Sequence, residues 1–403
     1  MTSPVHRSLS IDDVASLLAA SYGIAGDLTR LPGENDNYLV ASKDGERFVL
    51  KLAGEDRMRV FFELEHQVIE RVHAASLGIG LPRTIVTRSG ETVSRLRRDD
   101  GATFRGRLME FVSGTAWCDA GPPTPDRLRA LGQLLARLDL VLSKVDNPAA
   151  LRTHSWDLAT ADQHRGKIAL VGDPTKRRIL ERSFHLYAAC AVPRLDGLPH
   201  SLIHADANDE NILVENGKIS GLLDFSDCLV SPTVCELAIA VAYAMFDHPQ
   251  PLEIGAEIVA GYHAARPLTP AELEVLFPLI CGRLSVSVAV AAERRRVAPD
   301  HPTWFVTEAR AWDLLEHLVA VDPAEATAQL ASSIDVIPDV DRGAPNGRLL
   351  EARQRHISRA LSIAYREPLK MVRGSGQYLY DERGRRFLDL VNNVCHVGHC
   401  HPR

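Results

Sequence analysis

The spacing of apolar side chains divides the chain into stretches of different period. Ser10-Ile11-Asp12-Asp13 opens a helix: Ser10 caps it, and Asp13 stands in for the glutamate of a capping box. Val14, Leu17 and Leu18 then form one apolar face before Gly23 ends it. Beyond Leu28 the period shortens to that of strands. Tyr38-Leu39-Val40 and Arg47-Phe48-Val49-Leu50-Lys51-Leu52 flank Asp44-Gly45, a hairpin signal. Residues 58–75 return to helical spacing through Phe62, Leu64, Val68, Ile69 and Val72. Residues 83–87, 92–96 and 104–111 read as further strands.

Gly114 and Pro122-Pro123 mark a change. Helices are expected after them over 125–142, 176–190, 235–246, 252–265, 270–292 and 305–321. Residues 202–227 interrupt this helical part as a hairpin region that turns at Asn216-Gly217. Residues 335–347 are rich in Pro, Gly and Asp and read as a linker. A helix over 349–364 and a hairpin over 374–390, around Asp381-Glu382-Arg383-Gly384, follow. The expected organisation is α+β: a strand-rich lobe over 1–113, a mainly helical lobe over 114–330, a linker over 331–348 and a separate segment over 349–403.

A length of 403 residues leaves room for two or three cores. The net charge of −6 gives no reason to expect nucleic acid as a partner. The basic runs are short: Arg294-Arg295-Arg296 follows Glu293, and Arg383, Arg385 and Arg386 lie near Asp381 and Glu382. Each reads as a solvated face. The apolar run over 237–246 is too short to span a bilayer. The first 23 residues lack a basic region followed by an apolar core. The seven cysteines include no C-x-x-C pair, so no disulfide framework is expected. His396, His399 and His401 beside Cys395 and Cys400 invite a zinc reading, but no second ligand pair follows at zinc spacing. These features together predict a cytoplasmic protein with no membrane and no nucleic-acid partner.

The chemistry is concentrated in His204-Ala205-Asp206-Ala207-Asn208-Asp209-Glu210-Asn211 and, a dozen residues on, Asp224-Phe225-Ser226-Asp227. The first has the H-x-D-x-x-x-x-N spacing of a phosphoryl-transfer loop, and the second lies where a metal-binding acidic motif follows it. Phosphoryl transfer asks a protein for positioning, metal ions and charge neutralisation more than for covalent chemistry. Asp206 is the candidate to orient an acceptor hydroxyl and take its proton. Asn211 and Asp224 are the candidates to hold Mg²⁺, which prefers oxygen ligands. His204 would brace the loop, and Asp227 would act at the metal or behind it. The flanking strands Ser201-Leu202-Ile203 and Ile212-Leu213-Val214 and the lead-in Leu222-Leu223 supply the context the motif requires. A polar surface loop with capping carboxylates is the bland alternative.

With these motifs, residues 1–330 resemble the aminoglycoside phosphotransferase/choline kinase-like (APH) family, which implies a two-lobed protein-kinase-like fold. Ala205 stands where that family usually has glycine, and Glu236-Leu237-Ala238 where it has Asp-Leu-Ala. The resemblance implies that Lys51 contacts nucleotide phosphates, with Glu65 as its helix partner and Glu63 as the alternative. It implies that Asn35, in a loop with Gly33 as its one glycine, offers backbone N–H groups to phosphate. It also implies that the backbone of Glu110 and Val112, in Met109-Glu110-Phe111-Val112-Ser113-Gly114, meets the nucleobase. ATP and GTP both stay open. The implied activity is transfer of a γ-phosphate to a small hydroxyl-bearing acceptor: an amino alcohol such as hydroxylysine, ethanolamine or homoserine ahead of an aminoglycoside. Asp157 or Asp227 would meet its ammonium group.

The last stretch, from Tyr365-Arg366-Glu367-Pro368 through Gly374-Ser375-Gly376 to His399-Cys400-His401-Pro402, resembles the N-terminal edge of a class-III pyridoxal-phosphate-dependent aminotransferase. It is most similar to the phospholyase branch. In that family the Schiff-base lysine and the acid beside the pyridine nitrogen lie beyond this segment. PLP is therefore expected only in a longer parent protein, and a homo-oligomer only through the full aminotransferase domain. Three readings follow: a small-molecule kinase, part of a bifunctional pyridoxal enzyme, and a non-catalytic nucleotide-binding module.

Overall fold

The computed structural model describes residues 9–31, 36–53, 58–97, 102–299, 304–334, 350, 351, 353, 355, 369–375, 378–381 and 386–388. Helix α1 (Ile11–Tyr22) starts on the Ser10/Asp13 capping box and ends at Gly23 in the left-handed region, φ 70°. β1 (Gly26–Leu31), β2 (Asp36–Ser42) and β3 (Arg47–Ala53) follow, then α2 (Met58–Ala74), β4 (Thr84–Ile85), β5 (Ser94–Arg97) and β6 (Thr103–Glu110). These six strands make one antiparallel sheet in the order β1-β2-β3-β6-β4, with β5 on β6.

One face of this sheet is closed by α1. Val14, Leu17 and Leu18 pack with Tyr38, Val40, Leu50, Leu52 and Leu108 in a first core. The apolar side of α2 goes elsewhere: Leu64, Val68, Ile69 and Val72 join the large core of the helical part. The sheet and the helices are thereby tied through α2, the element that carries Glu65.

The helical part begins at β7 (Thr115–Ala116) and runs through α3 (Pro125–Leu142), α4 (Pro174–Leu186), α5 (Val192–Leu195), β8 (His200–Ile203), β9 (Ile212–Glu215), β10 (Lys218–Leu222) and β11 (Leu229–Pro232). It continues through α6 (Val234–Ala244), α7 (Pro251–Ala265), α8 (Pro270–Val297), α9 (Glu308–Val319) and α10 (Pro323–Leu330). β10 pairs β9, which pairs β7, and β11 pairs β8, all antiparallel. Asn216 and Gly217, both at positive φ, turn β9 into β10.

Helix α8 is long and apolar enough to cross a membrane, yet 89% of its apolar window is buried inside the protein, the pattern of a core helix. It extends five residues past the end expected from its periodicity. The helix expected over 176–190 is α4, followed by a π-helical turn, Tyr187–Ala191. β12 (Met371–Ser375), β13 (Tyr378–Asp381) and β14 (Arg386–Leu388) form an antiparallel three-stranded sheet, one strand more than the hairpin expected there. The linker over 335–347, most of the helix over 349–364 and the Cys395–His401 cluster lie outside the described residues.

Candidate active site

The motif loop leaves β8 at His204, whose ring is fully buried. Its Nε2 bonds Leu223 O at 2.9 Å and its Nδ1 accepts Asp206 N at 3.2 Å, which places the ring proton on Nε2. The ring meets Phe225 edge-on at 4.6 Å. Ala205 is turned to φ 67°, and its N–H donates to buried Glu236 Oε2 at 2.8 Å. Asn208 Oδ1 accepts the backbone N–H groups of Glu210 and Asn211, an Asx turn that ends the loop. Asn211 Nδ2 donates to both Asp206 O and Asp206 Oδ2 at 2.9 Å. Leu223 N donates to Asn211 O at 2.9 Å, so the motif loop and the Asp224 segment are stitched together.

Asp206 Oδ1 accepts Arg283 Nη2 at 2.8 Å. Burial pushes the Asp206 carboxyl up to about 8; Arg283 opposes this, while Asp227 and Asp224 add to it. Asp224 is the opposite case. Burial alone would raise it, but Lys51 and the Ser226 hydrogen bonds outweigh burial and hold it well below the usual carboxylate range. Lys51 Nζ lies 2.5 Å from Asp224 Oδ1 and 4.0 Å from Glu65 Oε1. Burial would lower the Lys51 ammonium, and Asp224 with Glu65 raise it instead. Glu65 is 2% exposed and also pairs with the fully buried Arg107 of β6. Glu63 faces solvent and pairs with Arg59 at 2.7 Å. Lys51, Glu65, Asp206, Asn211 and Asp224 thus share one connected polar cluster.

The donor set suits a hard cation. With Asn211 Nδ2 committed to Asp206, its amide oxygen is the atom left for a metal, and the Asp224 carboxylate, held well below the usual carboxylate range, is the second candidate ligand. Among the described residues no three His, Cys, Asp or Glu side chains are grouped to hold a metal by themselves. One carboxylate and one carboxamide match Mg²⁺, which keeps water and phosphate in its remaining positions.

Among the described residues, the other expected ones make no hydrogen bond to this cluster, although Asp227 is near enough to Asp206 to add to burial in raising its carboxyl. At the end of β6, Glu110 N donates to Arg83 O at 2.8 Å and Phe111 N to Arg47 O at 3.2 Å, and half-buried Val112 follows. Asn35 lies outside the described residues. Asp227 lies 3.6 Å from His154 Nε2. Asp157 is spent on Ser231 Oγ and Ala159 N, as a local cap.

Two residues of the cluster escaped the motifs: Arg283 and Arg107. Arg283 is 2% exposed, donates to Tyr243 OH and Trp156 O, and stacks on both rings. A single arginine inside the apolar run of α8 was a legible signal, because an arginine is almost never buried unpaired. Arg107, one position in a strand, carries no such signal.

The family model for the phosphotransferase enzyme family (APH) matches residues 27–275. A hydroxylysine kinase of Xenopus laevis is 27% identical over 337 residues, 77% of this chain and 90% of that protein. An alanine–glyoxylate aminotransferase 2-like protein of Drosophila melanogaster is 57% identical over 54 residues, 13% of this chain and 11% of that protein. Among solved structures, the amicoumacin kinase hAmiN, in complex with AMP-PNP, Ca²⁺ and Ami, aligns with a TM-score of 0.60 at 17% identity, covering 78% of this chain and 96% of that one. That likeness extends to the strand-rich N-terminal sheet and the helical part described above. The chain is an enzyme of the phosphotransferase enzyme family, with that family's kinase-like fold.

Proposed function

We propose that the chain moves the γ-phosphoryl group of ATP or GTP to the hydroxyl of a small amine-bearing acceptor, an amino alcohol in the sense of hydroxylysine, ethanolamine or homoserine. The observation that carries this reading is the connected cluster in which Asn211 joins Asp206 at 2.9 Å and Lys51 joins Asp224 at 2.5 Å. Asp206 orients the acceptor hydroxyl and takes its proton as the new O–P bond forms and the bond from the γ-phosphorus to the bridging oxygen of the departing ADP or GDP breaks. Arg283 fixes the Asp206 carboxylate against the loop. Lys51, oriented by Glu65, lies against the nucleotide phosphates, and the backbone of Glu110 and Val112 meets the base. Asn35 offers its backbone N–H to the phosphates. Asn211 and Asp224 would hold Mg²⁺, which would supply charge neutralisation at the phosphates.

The hydroxylysine kinase similarity over most of the chain supports this acceptor class. The proposed division is 1–113 and 114–330 for the two lobes, with 331–348 as linker.

A nucleotide-consumption screen over hydroxylysine, ethanolamine and homoserine tests the reading. Wild type is expected to turn over with at least one acceptor, and Asp206→Ala to lower kcat on the order of 10²- to 10⁴-fold. An Asp206→Ala protein as active as wild type would remove Asp206 from the chemistry.

A second reading concerns residues 349–403. The 57% identity to an aminotransferase-like protein supports an aminotransferase-type edge there. Pyridoxal chemistry is proposed only for a longer parent, so the purified 403-residue chain is expected to show no pyridoxal absorbance.

A further inference from the structure

Arg107 has no part in the roles above, yet it is a fully buried cation beside Lys51. In the antiparallel ladder of β3 and β6 the two are Cα partners. Like charges directly opposite each other in a ladder repel, so an acid is needed between them. Glu65 of α2 supplies it, and the two cations share it unequally. Arg107 Nη2 touches Glu65 Oε1, whereas Lys51 Nζ stands 4.0 Å from the same oxygen. Lys51 turns instead to Asp224 Oδ1 at 2.5 Å. The charges alternate along one chain of contacts: Arg107, Glu65, Lys51, Asp224.

Arg107 also joins β6 to α2. Leu64, Val68, Ile69 and Val72 of α2 enter the core of the helical part. Phe62 and Glu65, one turn apart, meet Arg107 instead, and the Phe62 ring centroid lies 5.9 Å from the guanidinium carbon. Arg107 Nη2 reaches Met109 Sδ at 2.8 Å, while Nε and Nη1 find no hydrogen-bond partner among the described residues. A contact made only to join two elements is served at least as well by apolar side chains, and unspent buried donors are a cost. Apolar side chains cannot hold a carboxylate in place.

We propose that Arg107 is a positioning residue for nucleotide binding: it holds the Glu65 carboxylate, so that Glu65 steers Lys51 from a distance without capturing it. The proposal rests on the reading above that sets Lys51 against the nucleotide phosphates. When Lys51 leaves Asp224 for phosphate, Glu65 keeps its counter-charge in Arg107, and no buried acid is left unpaired. Without Arg107, Glu65 draws Lys51 to itself and away from the phosphates.

The test measures the Kd of ATP with Mg²⁺, and the KM of an acceptor that wild type phosphorylates. It uses wild type, Arg107→Met, Arg107→Lys and the double variant Arg107→Met with Glu65→Gln, with thermal unfolding as the check on folding. Arg107→Met should weaken ATP binding by on the order of 10- to 100-fold, the worth of one charged contact, and leave the acceptor KM within about 2-fold. Arg107→Lys keeps the charge and should recover part of the loss. The double variant has no acid to capture Lys51, so it should bind ATP about 5-fold or more tighter than Arg107→Met and within about 10-fold of wild type. A double variant no tighter than Arg107→Met, or an equal loss for ATP and acceptor, overturns the positioning role and leaves the phosphotransfer reading standing. If Arg107→Met does not fold, the double variant decides: a loss of ATP affinity beyond about 10-fold overturns the proposal. Failure of both to fold makes Arg107 a residue of the fold alone and overturns it too. Wild type binding neither ATP nor GTP overturns this proposal and the phosphotransfer reading together.

Discussion

At the scale of single residues, the motif loop is held under backbone strain. Ala205 sits at φ 67°, where a Cβ costs roughly 1–2 kcal/mol. The loop tolerates this because Ala205 N–H is claimed by Glu236, and because His204 and Asn211 fix the chain on either side. Burial raises the Glu236 carboxyl, with His204 and the Ala205 N–H pulling the other way, so this acid is costly to bury for a bracing role alone. Ala205→Gly would remove the Cβ strain but add about 0.4–1 kcal/mol of unfolded-chain entropy. The strain term is the larger. The variant should therefore gain about 0.5–1 kcal/mol in urea unfolding, with the m-value unchanged. A lower midpoint would mean that the loop is relaxed with alanine in place. The sequence shows a small residue in the glycine position; that it is strained, and that Glu236 answers it, follows only from the third dimension.

At the scale of elements, α3 packs against α7, and glycine sets their approach. A Cβ on Gly132 would stand 2.0 Å from Ile258 O, and one on Gly261 would stand 2.0 Å from Arg129 O. Each meets backbone, which cannot rotate away. Alanine gains about 1 kcal/mol in helix propensity at such a site, whereas forcing two backbones apart costs about 1–3 kcal/mol or more. The clash should win, so Gly132→Ala and Gly261→Ala should each destabilise by about 1–2 kcal/mol in chemical denaturation. A stabilised variant would show that the helices separate freely. Because α3 also packs on β8, which delivers His204 to the loop, the contact bears on the site as well as on stability.

Much at this scale was legible: the Ser10/Asp13 cap, α3 over 125–142 and the Asn216-Gly217 turn were all written in local residue types. The 3₁₀ stretch Leu158–Leu170 was not, because its apolar residues keep no helical period. The glycine contact was not either, since a glycine within a helix reads locally as a weakness and not as a point of approach.

At the scale of the whole molecule, the cluster joins groups far apart in sequence: Lys51 and Asp224 are separated by 173 residues, Asp206 and Arg283 by 77. Lys51 and Asp224 were each read from the sequence but their pairing was not, because an ion pair between distant segments leaves no spacing to read. Arg107 was missed for this reason, whereas Arg283 left one trace, as the lone arginine in the apolar run of α8. The pairing has a consequence for binding. Lys51 gives its ammonium to Asp224 at 2.5 Å, and the same carboxylate is the proposed cation ligand. One carboxylate cannot satisfy both in full, so a cation on Asp224 frees Lys51 for nucleotide phosphates, and nucleotide phosphates on Lys51 free Asp224 for the cation. Nucleotide and Mg²⁺ should therefore bind with positive coupling. In thermal unfolding, Mg²⁺ with ATP at about 100 times its Kd should add about 2.7 kcal/mol of stability. Mg²⁺ alone, or ATP with EDTA, should add much less than half of that each. Asp224→Asn should abolish the metal dependence while leaving the small effect of ATP alone, since Lys51 is then already released. An ATP shift of equal size with and without EDTA in wild type would mean that Asn211 and Asp224 hold no cation, and that the Lys51–Asp224 pair serves only to clamp the sheet to the helices.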